Sequence, residues 1–351
     1  MHTINAINVG DALFRGIGLL QRNGVHIAPR GMPTLEVPGP VATTYQRPLE
    51  CVLFNEVRDA NPFFHLFEAL WILAGRRDVA FLKKFNKNME QFGSGENFHA
   101  AYGYRLQGNG FSQDQLELAI SMLKYEPTTR RVAAQIWDQH LDLGVQNPDI
   151  PCNMILTFKI RSGRLNMTVF CRSNDMIWGA YGANAVQFSM IQQYVAAGVG
   201  VEVGEYTQIS DSFHVYTENT QGQKQKEMWE ALMLQANTRT NPSCLYSQGI
   251  VAPFQLVQNH EQFSLEVRDF CDLVLDANQD LAWQMSWEEP FLAHIACPML
   301  RLWQLHQEYR AGAEKAIPRW VREYPQLINR ADWLYAGRQW VERKENKNEA
   351  Q

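Results

Sequence analysis

The most regular stretch of the chain is "NPFFHLFEALWILAGRRD", residues 61–78. Phe63, Phe67, Leu70 and Ala74 recur at helical spacing, and Phe64, Trp71 and Ile72 widen the apolar face. Asn61 can cap such a helix, Pro62 suits its first position and Gly75 its end. Between Pro62 and Gly75 the ionisable side chains are His65 and Glu68. Glu68 lies one turn after Phe64 and three residues before Trp71, on an apolar side. A carboxylate there is costly unless it is paired or works in chemistry. The plainer alternative is a surface acid at the edge of the apolar stripe.

A period of two appears in "MILTFKIRSGRLNMTVFCRSND", residues 154–175. Met154, Leu156, Phe158 and Ile160 alternate with Ile155, Thr157 and Lys159, and Ser-Gly marks the turn of a predicted hairpin. With a two-residue loop, facing residue numbers sum to a constant. Cys152 then falls near Ser173, and Asn153 near Arg172. Strict pairing puts Arg172 on the face opposite Cys152; a bulge would bring it round.

The remaining pattern is coarser. "NAVQFSMIQQYVAAGVG" (184–200) predicts a second apolar helix, with "WGAYGA" as its entry loop. Gly204–Ser210 reads as a strand running into "DSFHVYTEN". Residues 10–50, with repeated Gly and Pro, read as loops with short strands at Thr34–Val37 and Val41–Tyr45. Beyond about residue 225, Trp-rich segments such as "CPMLRLWQLHQEYRAG" predict helices without obvious chemistry.

Composition narrows the class. The chain has 351 residues, 46% hydrophobic and 20% charged, which suits a soluble globular protein with a substantial core. A net charge of −5 offers no basic surface for nucleic acid, although a few local arginines can still hold a small anion. The six cysteines show neither C-x-x-C nor zinc-site spacing. Scattered cysteines without a leader peptide predict a reduced, cytoplasmic protein without metal. No apolar run approaches the roughly 20 residues of a membrane span.

Candidate chemistry centres on "DIPCNMILTF", where Cys152 follows a proline at the head of a strand. Buried cysteine usually serves as a small hydrophobe. Here an Arg-Ser-Asn-Asp run (172–175) ends the adjacent strand and a Gly-Asn loop opens the next helix. A tandem Arg130–Arg131 in "TTRRVAAQIW" precedes another strand. The guanidinium fork matches phosphate and carboxylate oxygens, though each arginine alone also reads as surface solvation.

In their order, these segments resemble the thymidylate synthase family of folate-dependent pyrimidine C5-modifying enzymes, over about residues 20–220. "FEALWILAG" resembles the helix of the active-site glutamate, here Glu68, and "AYGYR" the Tyr-Gly segment, giving Tyr102. "TRRV" resembles the paired arginines, Arg130 and Arg131, that reach a partner's phosphate site. "PCN" matches the nucleophile motif, Cys152. "CRSNDMIWG" resembles the Arg-Ser-x-Asp segment, giving Arg172, Ser173, Asp175 and Gly179, with Trp178 placed near the cofactor. Asn184 falls at the base-reading asparagine, one loop residue late. "HVY" supplies His214 and Tyr216 for the sugar, and Arg30 resembles an N-terminal phosphate-loop arginine.

The resemblance implies a mixed α/β (α+β) fold, a bent β-sheet carrying Cys152 with long helices on one face. Its other face would meet a second copy in a homodimer with shared sites. The catalytic core would cover 1–225, with a helical extension over 226–351. The implied ligands are a pyrimidine nucleoside monophosphate, dUMP or dCMP, and 5,10-methylenetetrahydrofolate. Thiolate addition at C6 makes C5 nucleophilic. Glu68 would move protons, its apolar setting raising its pKa. Asn184 could pair with O4 and N3 of uracil, and a flipped amide with cytosine. Asp175 would hold the pterin.

Three departures favour hydroxymethyl over methyl as the product. Asn153 stands where synthases usually have His. No tryptophan follows "FLKKFNKNMEQF", and the chain ends "ERKENKNEAQ" without an apolar closing tail. Hydride transfer needs a dry, closed site. The expectation is a deoxynucleotide hydroxymethylase of the kind phages use on DNA precursors, with thymidylate synthase as the alternative. A cysteine hydrolase using Cys152, His214 and Asp211 is a more distant reading.

Overall fold

The computed structural model describes residues 1–108, 113–219, 224–238, 244–278, 280–325 and 330–349. The strands are β1 (His2–Ala6), β2 (Val25–Ile27), β3 (Thr34–Val37), β4 (Val41–Tyr45), β5 (Ala133–Gln135), β6 (Asn153–Arg161), β7 (Arg164–Asp175) and β8 (Glu202–Tyr216). The helices that matter below are α1 (Val9–Asn23), α2 (Pro62–Leu73), α3 (Val79–Phe85), α4 (Asn184–Val199), α5 (His260–Val274), α6 (Cys297–Arg310) and α7 (Asp332–Glu349). They fall into two compact units, Met1–Ala60 with Arg105–Cys244, and Asn61–Tyr104 with Leu245–Gln351. The units therefore do not divide at the expected 225/226 boundary.

The first unit is built on one mixed sheet in the order β1-β4-β8-β7-β6-β5, with β3 also on β8 and β2 on β3. The β1–β4 and β7–β8 pairs are parallel and the other pairs antiparallel. On one face Leu156, Phe158, Leu165, Met167, Val169 and Tyr206 are buried, and α4 packs against β7 and β8. On the other face Ile155, Thr157, Thr168, Thr207 and Ile209 are only partly covered, and Phe170 is 37% exposed.

The hairpin forms as its alternation predicts, turning at Ser162 and Gly163 with φ of 52° and 73°. Two consecutive left-handed residues match the right-handed twist of the strands, which is why glycine is wanted there. Two elements differ from expectation. Residues 9–23 form a helix rather than a loop, with Asn8 accepting from the Asp11 N–H as its cap. Its Gly16 is a contact point, since a Cβ there would lie 2.5 Å from the Tyr181 ring. The expected loop "WGAYGA" is wound only in part: wide helical turns start at Met176, capped by Asp175, and break at Tyr181 and Gly182, whose φ/ψ of −110°/27° and −129°/−113° are not helical, before α4 begins.

In the second unit α2 packs against α3, α5, α6 and α7. Phe67 stacks on Phe85 at 4.2 Å and on Phe270 at 6.3 Å. Phe63 meets Trp303 at 5.3 Å and Trp340 at 5.7 Å. Of Pro62–Leu73, all but Phe64 are buried. A helix apolar on so many sides must be covered all round, and the Trp-rich C-terminal helices supply that cover. This explains why residues 61–104 group with them.

Candidate active site

Cys152 sits immediately before β6, and the ladder beside it is irregular. From Arg161–Arg164 to Ile155–Phe170 the facing numbers keep one register. Between Asn153 and Ile155 the register shifts, so that Asn153 faces Cys171 instead of Arg172. The bulge brings Cys152 opposite Arg172, whose backbone N–H donates to the Cys152 carbonyl at 2.9 Å. Directly opposed residues share a face, so the alternative left open by hairpin arithmetic is resolved in favour of proximity.

The Arg172 side chain also holds the loop before the cysteine. Its Nε donates to the Pro151 carbonyl at 3.0 Å and its Nη2 to that of Ile150 at 2.9 Å. Burial pushes the half-buried Cys152 thiol above its ordinary value; Arg172 opposes this, Asp149 adds to it, and Arg30 opposes it. Arg30 itself is exposed and held at a φ of 53°, a conformation that non-glycine residues adopt at some cost.

Asp175, His214 and Tyr216 belong to the same neighbourhood. Asp175 faces His214 across the β7–β8 ladder. Burial raises the Asp175 carboxyl, against the pull of His214, the Trp178 N–H and Arg58. Burial also raises the Tyr216 hydroxyl; Asp175 adds to this, Arg30 opposes it, and Cys152 adds again. His214 packs edge-on to Tyr216 at 5.4 Å, and its Nδ1 lies 3.1 Å from Ser212 Oγ. Its orienting neighbour is thus Ser212, while Asp211 is exposed, which disfavours the hydrolase triad. Ser173 faces Ser212 in the ladder.

Arg58 went unrecognised in the sequence. It is 3% exposed, donates from Nε to the Ile177 carbonyl at 2.9 Å, and lies 4.1 Å from the centre of the Trp178 ring. Its burial lowers its pKa to about 10. Trp178 remains 36% exposed. An indole backed by a guanidinium and open to solvent, beside a carboxyl of raised pKa, fits a flat heterocycle with hydrogen-bonding edges. A lone arginine before a helix carries no local signal of this role.

Asn184 opens α4 and is joined to Asn153 at 3.1 Å and to Asn174 at 3.0 Å. Gly179 lies against this pair: a Cβ there would come within 2.7 Å of Asn174 Oδ1 and 3.4 Å of Asn184 Nδ2. Gly179→Ala is expected to lose roughly 1–3 kcal/mol of stability by overpacking. It should also raise the nucleotide KM, as checked by denaturant titration and steady-state kinetics.

The sequence-predicted residues divide between the units. The first carries Cys152, Arg30, Arg172, Ser173, Asp175, Trp178, Gly179, Asn184, His214 and Tyr216, together with Arg130 and Arg131. The second carries Glu68 and Tyr102. Glu68 is 8% exposed on α2, and Tyr102 is half-buried. Next to it, a Cβ on Gly103 would lie 2.0 Å from the Ile72 carbonyl oxygen, so the Tyr-Gly segment runs directly against α2. Arg130 and Arg131 are exposed, and Arg131, Ala133 and Gln135 alternate outward around buried Val132 and Ala134. Among the described residues, no group of three or more His, Cys, Asp or Glu side chains is placed to hold a metal. Nor is any helix among them long and apolar enough to cross a membrane.

Comparison with known proteins follows the same lines. A deoxyuridylate hydroxymethyltransferase of Pseudomonas phage M6 is 39% identical over 98% of this chain and 95% of its own length. One from Bacillus phage SP01 is 43% identical over 56% of this chain, which spans about half (54%) of that relative. A putative thymidylate synthase of Methanosarcina acetivorans is 32% identical over 61% of this chain and 88% of its own length. The thymidylate synthase family model matches residues 58–266. That range holds the nucleophile strand, the Arg-Ser-Asn-Asp run, the opening of α4 and the buried glutamate helix together, and the chain therefore belongs to the thymidylate synthase family, one-carbon transferases acting on pyrimidine nucleoside monophosphates with methylenetetrahydrofolate.

Proposed function

We propose that this chain hydroxymethylates C5 of deoxyuridylate. The observation that carries this reading is the likeness to the Pseudomonas phage M6 hydroxymethyltransferase along nearly the full length of both chains. Asn153, at 0% exposure and bonded to Asn184, supports it, because the position usually held by histidine in synthases is here an amide of the base-reading group. Cys152 adds to C6 of the base. Arg172 favours the thiolate and, with Arg30 and Ser173, receives the nucleotide phosphate. His214 and Tyr216 hold the sugar, and Asn184 reads the pyrimidine edge. Glu68 with Tyr102 moves protons at the base. Asp175, Trp178 and Gly179 receive the folate, which supplies the one-carbon unit; water then completes the product.

We also assign the open sheet face to a homodimer, with Arg130 and Arg131 serving the partner's phosphate site, and place the protein in the cytoplasm. The partly covered Ile155 and Ile209 and the exposed Phe170 support the dimer. The test of function is product identity. Incubated with deoxyuridylate and methylenetetrahydrofolate, the protein is expected to add a hydroxymethyl group by mass and to release tetrahydrofolate. Stoichiometric dihydrofolate with a methylated product would establish the synthase reading instead.

A further inference from the structure

Four buried side chains run in one hydrogen-bonded line from the residue after the nucleophile to the centre of the sheet. Asn153 Nδ2 donates to Asn184 Oδ1 at 3.1 Å, Asn184 Nδ2 to Asn174 Oδ1 at 3.0 Å, and Asn174 Nδ2 to Ser210 Oγ at 2.9 Å. Their exposures are 0%, 7%, 1% and 2% in the order Asn153, Asn184, Asn174, Ser210. We propose that Asn153 and Asn174 are specificity-determining positioning residues, which set the amide orientation of Asn184 and thereby select uracil over cytosine. The inference rests on the reading of Asn184 as the base-reading residue.

A primary amide has two N–H groups and two lone pairs on its oxygen. In this line Asn184 uses one of each, which leaves one N–H and one lone pair for a base. Uracil presents an N3–H donor and an O4 acceptor; cytosine presents an N3 acceptor and an N4 amino donor. The two bases therefore require opposite orientations of the same amide. An isolated asparagine turns over at little cost. Asn184 cannot, unless both neighbours turn with it. Turned alone, its N–H would meet the N–H of Asn153 and its carbonyl that of Asn174. Each mismatch, buried among these residues, leaves two like groups facing each other with no water to relieve them. The serine end is indifferent, because a hydroxyl donates or accepts. Asn184 therefore turns only together with positions 153 and 174, and a side chain at either position that cannot turn fixes its polarity.

Two isosteric changes push the line in opposite senses. Asn153→Asp, measured at a pH where its carboxyl is ionised, presents only acceptors to Asn184, so Asn184 turns its N–H towards position 153. Asn174 then turns too and accepts from the Ser210 hydroxyl. Asn174→Asp presents an acceptor where the structure already has one, and preserves the uracil polarity. The experiment measures kcat/KM on dUMP and dCMP for the full chain. It also measures Kd for both nucleotides in a Cys152→Ala background, where no chemistry intervenes.

N153D is expected to lower the dUMP-to-dCMP preference about tenfold or more, while N174D keeps or raises it. A merely structural role would weaken both nucleotides equally. If N153D does not fold, N174A serves in its place: it frees one side of Asn184 and should lower the preference several-fold. A preference that stays constant across the variants, in protein that binds dUMP, overturns this inference alone. Wild-type protein that binds neither nucleotide overturns the functional reading and this inference with it.

Discussion

Cys152→Ala is expected to abolish turnover, by about 10⁴-fold or more, while leaving nucleotide binding within a few-fold of wild type. The size follows from its proposed role as the C6 nucleophile. Without covalent addition at C6, C5 has no carbanionic character to offer, and no neighbouring group replaces a missing nucleophile. The structure adds a pH dependence. Burial holds the thiol of the free protein above its ordinary pKa, and Arg172 is the first charge opposing that shift. A raised thiol pKa means that less thiolate is present at neutral pH and more appears as pH rises. Alkylation of Cys152 by iodoacetamide, followed by mass spectrometry of the 152-containing peptide, should therefore accelerate from pH 7 to beyond pH 9. Arg172→Ala should slow it at each pH in that range by withdrawing the opposing charge. Substantial turnover in folded Cys152→Ala, above about one part in a hundred, would remove Cys152 from the chemistry.

Arg131→Glu is expected to reduce kcat/KM about 10²- to 10³-fold, by replacing the proposed phosphate-binding fork with a repelling carboxylate. The variant should fold normally, because Arg131 is exposed and projects from the strand edge outside the buried Val132–Ala134 pair. Mixing it with Cys152→Ala distinguishes a shared site from a private one. If Arg131 serves its partner, each mixed dimer holds one site with an intact cysteine and an intact arginine. About a quarter of the wild-type sites then return after subunit exchange, by simple pairing statistics in a two-fold dimer. Two inactive variants that stay inactive when mixed, under conditions where energy transfer between differently labelled subunits shows exchange, would place Arg131 in its own subunit's site or outside it.

Much of this arrangement is local and so could be read from residue order. The hairpin is one case: a two-residue turn with left-handed conformations and unbroken alternation pins one register, since a slip by one would expose Leu156, Phe158 and Val169. The glutamate helix is another, because Asn61, Pro62 and the repeat of Phe63, Phe67 and Leu70 carry their own start signal and period. Asn61 indeed accepts from the Phe63 and Phe64 N–H groups at 3.0 and 3.1 Å. The helix at Val9–Asn23 failed to register because its glycines argue against a helix when each is judged alone. Gly16 is tolerable only because Tyr181, far along the chain, packs where a side chain would have been.

By itself, then, the residue order determined the period-two and period-3.6 elements, their caps and turn, and the ordered set of chemistry-bearing residues that marks the family. Tertiary structure alone decided three things. It placed the bulge after Asn153, which brings Cys152 opposite Arg172, and it buried the Asn153 amide against Asn184. It wrapped the C-terminal helices around α2, because a helix apolar on nearly every side has to find partners from elsewhere in the chain. And it joined Asn153, Asn184, Asn174 and Ser210 into one buried line. Local sequence specifies how each segment folds upon itself; which amide meets which is settled only when distant segments are buried together and every polar group must find a partner.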